Sequence, residues 1–292
     1  MVLLGAGQLA RAVALATTQA THQCVALPRE CYPQSEEQPL CAALLRYHPS
    51  VIINAAAFTD VERAEREPEL AWAVNRDGVA RLAALAKQYN ALLVHFSTDY
   101  LFDGSGDRPW RESDHPAPLN VYGQSKWAGE QAIMASGCRY LIIRTSWLHS
   151  PWRDNFLKTI LGLAQRHREL RVVCDQIGAP TSASWLAEVT LQMIPQVLAN
   201  PALAGCYHVT ARGAVSWHGY ADFLLHQAQH LGLLAQCPRL VPVAARDYPA
   251  QATRPANSRL DTGRFERAFG LTMPPWQQGV MATLHALAQE SV

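Results

Sequence analysis

Charge is scarce in this chain. Of its 292 residues only 17% are charged, and 25 basic side chains face 24 acidic ones, leaving a net charge of +1. A nucleic-acid binder usually carries a basic excess or stripe, and a polybasic membrane anchor carries a cluster, so neither reading fits. Long apolar runs are missing as well. None approaches the roughly 18 residues of a membrane span. Residues 1–7 have no basic region and too short an apolar stretch for a signal peptide. The seven cysteines are odd in number, scattered and without a Cys-x-x-Cys. That argues against a disulfide framework or a zinc site, and for reduced thiols in the cytoplasm. The eleven histidines show no metal-ligand spacing, so no metal is expected. Repeats and low-complexity tracts are absent too.

What is present is apolar: 49% of the residues are hydrophobic, which excludes disorder and supplies a sizeable core. Short apolar runs at 2–4, 23–27, 51–56, 91–97 and 140–145 read as strands. Helix-patterned segments at 8–18, 41–47, 62–89 (two helices) and 125–135 separate them. Continuous apolar strands alternating with helices predict a parallel sheet covered on both faces. Segment 103–120, rich in Gly, Pro and Asp, reads as a long surface loop. Beyond residue 148 the pattern loosens, although 205–209 reads as a strand returning to the sheet.

Three motifs carry chemistry. Gly5-Ala6-Gly7-Gln8-Leu9-Ala10 follows the first strand and opens a helix, as a dinucleotide fingerprint requires. Its glycines permit a tight turn and close approach to a pyrophosphate, which the helix N-terminus then attracts. At the end of the second strand stand Pro28 and Arg29. Arg29 there favours the 2′-phosphate of NADPH, with NADH left open; the plain alternative is a solvated loop residue. Tyr122-Gly-Gln-Ser-Lys126 places phenol and amine on one helical face. An ammonium beside a phenol favours the phenolate and suits Tyr122 to proton transfer. Thr98 ends an apolar strand, where ligands bind in open α/β sheets. Its hydroxyl can hold a substrate carbonyl against the tyrosine.

In this order the motifs resemble the extended short-chain dehydrogenase/reductase superfamily. Longer strings narrow the likeness: Asn54-Ala-Ala-Ala-Phe-Thr59, Ser97-Thr-Asp-Tyr-Leu-Phe-Asp103, Arg144-Thr-Ser-Trp147, Asp175-Gln-Ile-Gly-Ala-Pro-Thr181 and Arg254-Pro-Ala-Asn-Ser258. With them the chain resembles the dTDP-4-dehydrorhamnose reductase family over roughly residues 2–285. The resemblance implies a Rossmann-type doubly wound α/β sheet with a smaller C-terminal α/β substrate lobe. It places the NAD(P)-binding domain at 1–147, with 183–212 returning to it, and the substrate lobe mainly at 148–292. It implies hydride transfer from NADPH or NADH to C4 of dTDP-4-dehydro-L-rhamnose, giving dTDP-L-rhamnose. Thr98, Tyr122 and Lys126 become the catalytic residues. Gly5, Gly7, Gln8, Leu9, Arg29, Ala57, Phe58 and Thr59 join Tyr122 and Lys126 in holding the cofactor. Asp99, Trp147 and Arg254 join Thr98 in holding the nucleotide sugar.

The likeness leaves a homodimer open. Two other readings also stay open: a 4-ketoreductase for a different dTDP-6-deoxyhexulose, and a non-catalytic nucleotide-binding regulatory subunit. A dehydratase usually has Glu where Tyr100 stands, which counts against dehydration. The chain departs from the family pattern in two places. Its glycine turn is one residue shorter and has Ala10 for the third glycine. Pro28 and Pro33 stand near positions where the family carries acidic residues beside the adenosine.

Overall fold

The computed structural model describes residues 1–20, 23–27 and 38–290. Arg29 and the rest of 28–37 lie outside them, so the cofactor-preference expectation is not addressed by the structure. The chain begins β1 (Val2–Leu4), α1 (Gln8–Gln19), β2 (Val25–Leu27), α2 (Gln38–Tyr47), β3 (Val51–Asn54). It continues through α3 (Val61–Arg66), α4 (Pro68–Trp72), a π-helical stretch Ala73–Asp77, α5 (Gly78–Gln88), β4 (Leu92–Thr98), α6 (Val121–Ser136) and β5 (Arg139–Thr145). The later elements are β6 (Leu148–His149), α7 (Phe156–Ala164), β7 (Glu169–Val173), β8 (Ile177–Gly178), β9 (Thr181–Ser182), α8 (Ala183–Ala199) and β10 (Gly205–His208). The last are β11 (Val215–Ser216), α9 (Trp217–His230), β12 (Arg239–Val243), α10 (Gly263–Phe269) and α11 (Trp276–Glu290).

Six strands form one parallel sheet in the order β10-β5-β4-β3-β1-β2. The chain moves outward from β1 to β2, then crosses back to β3 on the other side of β1. Such a reversal opens a ligand crevice at the carboxyl ends of the strands. This is the doubly wound Rossmann-type arrangement.

The alternation of side chains along each strand divides the core. Leu3, Ile53, Val94 and Ile143 face α1 and α8. Val2, Leu4, Ile52, Leu93 and Ile142 face α2, α5 and α6. α1 packs by the helical spacing of Leu9, Ala12, Val13 and Ala16. A third core of α7, α9, α11 and β7 centres on Leu157, Leu224 and Val280, with β12 pairing parallel to β7. No helix among the described residues is long and apolar enough to cross a membrane.

Two elements differ from expectation for local reasons. Segment 62–89 is not two helices. Pro68 starts a new helix after α3, and the backbone widens to a π-helix at Ala73–Asp77. α6 starts at Val121, four residues earlier than the apolar spacing suggests. The Asn120 side chain caps it by accepting from the Gly123 N–H at 2.8 Å. Segment 103–120 is irregular as expected, but it is pinned. Trp110 stacks on Phe102 with ring centroids 4.7 Å apart, its backbone N–H donates to the Arg259 carbonyl at 2.8 Å and its indole N–H to the Asn257 carbonyl at 3.0 Å.

Candidate active site

Thr98 is the last residue of β4, and Tyr122 lies in the first turn of α6. The Thr98 hydroxyl lies beside the Tyr122 phenol and favours its ionised form. Thr98 Oγ1 also accepts from the Tyr100 N–H at 3.2 Å and reaches Asp99 Oδ1 at 3.2 Å. The Tyr122 ring meets Tyr100 edge-on, with centroids 5.9 Å apart. Gly123 is required beside it, because a Cβ there would strike the Tyr100 carbonyl. Burial pushes the Tyr122 phenol up to about 12; the Thr98 hydroxyl opposes this and the Asp99 charge adds to it. Lys126 shares the buried pocket, 2% exposed. Its Nζ donates to the Phe96 carbonyl at 2.7 Å and lies 3.3 Å from His95 Nε2. The expectation was an ammonium lowering the phenol's pKa. In the structure the amine is turned to β4, and burial governs the phenol.

Of the residues expected to hold a substrate, Asp99 is 3% exposed. Burial raises its carboxyl to about 7, against the nearby Ser258 and Thr98 hydroxyls, and its Oδ2 has no hydrogen-bond partner among the described residues. Trp147 follows β5 with a φ of 45° and stacks face to face on Trp217 at 3.4 Å between centroids. Arg254 pairs with Glu62 Oε1 at 2.7 Å, and its guanidinium lies near enough to the Tyr100 phenol to oppose the effect of burial on it. This brings loop 250–258 onto α3 beside the same strand end.

The glycine turn fits a dinucleotide. Gly5 has a φ of +128°, and a Cβ there would lie 2.8 Å from the Ala55 carbonyl, so the turn hugs the end of β3. A Cβ on Gly7 would meet nothing within 4 Å. Gly7 caps α1 without any side-chain hydrogen bond, leaving the first-turn N–H groups of α1 for an anion. Gln8 and Leu9 offer only their backbone. The Gln8 amide donates to the Leu148 carbonyl at 3.2 Å and accepts from Ser150 Oγ at 2.9 Å. The Leu9 side chain is core. Ala57 is half-buried, Phe58 buried and Thr59 exposed, in the loop beyond β3.

Comparison with known proteins now decides the family. The RmlD substrate binding domain family matches residues 1–289. A dTDP-4-dehydrorhamnose reductase of Salmonella typhimurium is 43% identical over 254 residues, 87% of this chain and 85% of that protein. A solved dTDP-4-dehydrorhamnose reductase of Bacillus anthracis, in complex with NADP, is 31% identical with a TM-score of 0.89, covering 98% of both chains. The homologous structure from Clostridium acetobutylicum is 30% identical with a TM-score of 0.90, again over 98% of both. The chain belongs to the dTDP-4-dehydrorhamnose reductase family.

Several residues that shape this reductase-family site have no signal in the sequence. Asn75, 1% exposed on the π-helical stretch, accepts from the Phe58 N–H at 2.9 Å. It donates to the Phe58 carbonyl and to Ser125 Oγ, both at 3.0 Å. It therefore clamps the loop after β3 to the helix that carries Tyr122. Trp217, Glu62 and His95 likewise enter only through contacts between distant segments.

Proposed function

We propose that this chain reduces the C4 keto group of dTDP-4-dehydro-L-rhamnose with NAD(P)H to give dTDP-L-rhamnose, with Tyr122 delivering the proton to the C4 oxygen. One observation carries the reading: Thr98, Tyr122 and Lys126 converge at the carboxyl end of β4, in the sheet whose first strand leads into an open glycine turn. NAD(P)H, when bound, supplies the hydride. The uncapped N-terminus of α1 and the turn Gly5–Gly7 hold its pyrophosphate through backbone N–H groups.

Tyr122 keeps its proton at neutral pH, since burial places the phenol near 12. It is therefore a donor in waiting. Thr98, beside that phenol, orients the carbonyl in the same small space. Lys126 leaves the Phe96 carbonyl to hold the nicotinamide ribose and to stabilise the phenolate once the proton has gone. On the substrate side, Asp99 binds the sugar and the Trp147 face lines its pocket. Arg254 exchanges Glu62 for the diphosphate, whose oxygens its fork matches. Residues 148–292 serve mainly as the substrate lobe, while α8 and β10 remain with the cofactor domain. The scattered free cysteines support a cytoplasmic location.

Purified protein with NADPH and dTDP-4-dehydrorhamnose should lose absorbance at 340 nm as dTDP-rhamnose forms. Cofactor binding without turnover would overturn the reading and leave a nucleotide-binding regulatory subunit in its place.

A further inference from the structure

Behind Tyr122 runs a closed line of buried polar groups of which the proposed reduction uses only Lys126. It links the end of β3 to α6 through the middle of β4. Asn54 is 5% exposed, His95 0% and Lys126 2%. The Ala56 N–H donates to Asn54 Oδ1 at 3.1 Å, which fixes the orientation of the amide. Asn54 Nδ2 then faces His95 Nδ1 at 3.0 Å. An amide nitrogen only donates, so Nδ1 accepts. A neutral ring that accepts at Nδ1 carries its proton on Nε2. Nε2 faces Lys126 Nζ at 3.3 Å, and Nζ donates in turn to the Phe96 carbonyl at 2.7 Å.

An ammonium has three donors and no acceptor. Placed at Nζ, it confronts the Nε2–H donor head on. Turning the ring to its other tautomer only moves the clash to Asn54. A neutral amine accepts from Nε2–H and removes the conflict everywhere along the line.

We propose that His95, locked in one tautomer by Asn54, is a positioning residue that favours the neutral amine of Lys126 against β4 until the lysine turns toward the cofactor. This rests on the reductase reading for its purpose but not for its hydrogen-bond logic. Burial pushes the Lys126 amine down to about 8 and holds the His95 ring well below its ordinary value, both shifts running in the direction of the geometry. The other groups around the amine are few. Glu130, one turn along α6, favours the ammonium, but Arg144 of β5 holds that carboxylate at 2.7 Å. Tyr122 lies one turn back on α6. The polar side chains arriving from β3 and the π-helical stretch, Asn54 and Asn75, are neutral.

The test is direct because the chain has only three lysines, Lys87, Lys126 and Lys158. Protein carrying lysine labelled with 13C at Cε should give three NMR signals, with that of Lys126 titrating at about 8 instead of the ordinary 10.5. Asn54→Ala removes the donor that locks the ring, and His95→Gln offers a carbonyl to the ammonium. Each should raise the Lys126 midpoint by roughly one unit or more, a tenfold change in its protonation ratio. In the wild type, long-range 1H–15N correlations should show His95 as the Nε2–H tautomer, its signal identified by its loss in His95→Gln. A Lys126 that titrates at the ordinary lysine value would overturn the proposal. So would an Nδ1–H or doubly protonated ring, or a midpoint unmoved in both variants. These readouts need no substrate, so they fail or hold separately from the reduction. If both stand, the pH profile of kcat/KM shifts with the midpoint in the variants.

Discussion

Strands β3, β4 and β5 each have two unlike halves. Along their inner stretches they carry aliphatic side chains such as Ile52, Leu93 and Ile142, all 0% exposed. Their carboxyl ends are equally buried but polar: Asn54 at 5%, His95 at 0%, Thr98 at 5% and Arg144 at 3%. Burial therefore does not separate the halves; satisfaction does. The aliphatic half gains about 25 cal/mol for each Å² of apolar surface removed from water. The polar half contains Ser97 Oγ, Thr145 Oγ1 and Asp99 Oδ2 without hydrogen-bond partners among the described residues, and such atoms cost about 1–3 kcal/mol each. One half holds the sheet together. The other gives up stability to keep reactive groups desolvated and unpaired, as strained or unsatisfied sites usually do when they serve function.

That contrast can be broken at its sharpest point. Tyr122→Phe removes one oxygen at the polar end and should lower kcat by roughly 10²- to 10⁴-fold. NADPH affinity should hardly move and the fold should persist. Steady-state kinetics beside cofactor titration decides it; a variant within a few-fold of wild type would remove Tyr122 from the proton transfer. Leu93→Ala is the mirror experiment on the apolar half. The side chain is 0% exposed and packs between sheet and helices, so its truncation should cost about 2–5 kcal/mol in urea unfolding. Turnover per folded molecule should stay near wild type. A large loss of kcat without loss of stability would show that the two halves are not separable.

The apolar half was legible in the sequence because continuous runs such as residues 51–53 and 92–94 need no partner to be read. Thr98, Tyr122 and Lys126 were legible too, since order and spacing alone place them near one strand end. Orientation was not. Lys126 has four side-chain torsions, and which carbonyl it meets depends on His95 and on the strand pairing that puts Asn54 beside that histidine. Gln8 and Leu9 illustrate the same limit. The fingerprint specifies backbone, and their side chains serve the loop at 148–155 and the core instead. Asn75 is a neutral residue within a helical stretch, and only a π-helix and the close approach of Gly129 to its carbonyl reveal its use. Contacts between segments far apart in the chain, such as Trp147 on Trp217, exist only once topology is known.

The mildest test asks what the polar half costs, and here pH separates it from the apolar half. The Asp99 carboxyl is raised to about 7 in the folded protein, chiefly by burial, from an ordinary 3.8. Below about pH 4 both folded and unfolded chains hold this proton, so it contributes nothing to the balance. Between about pH 4 and 7 the folded chain holds the proton while the unfolded chain has lost it. Stability therefore falls as pH rises through that window, and the penalty is complete above it. Asn fills nearly the same volume and cannot ionise. Asp99→Asn should thus gain stability relative to wild type at pH 8 compared with pH 4, by about 1–3 kcal/mol once partial hydration is allowed for. Leu93→Ala should show the same deficit at both pH values, because no proton is linked to it. Urea unfolding of the three proteins at the two pH values measures this. An Asp99→Asn difference that is flat with pH would mean that the carboxylate is charged at ordinary cost, and that the unpaired oxygens at this strand end are no burden on the fold.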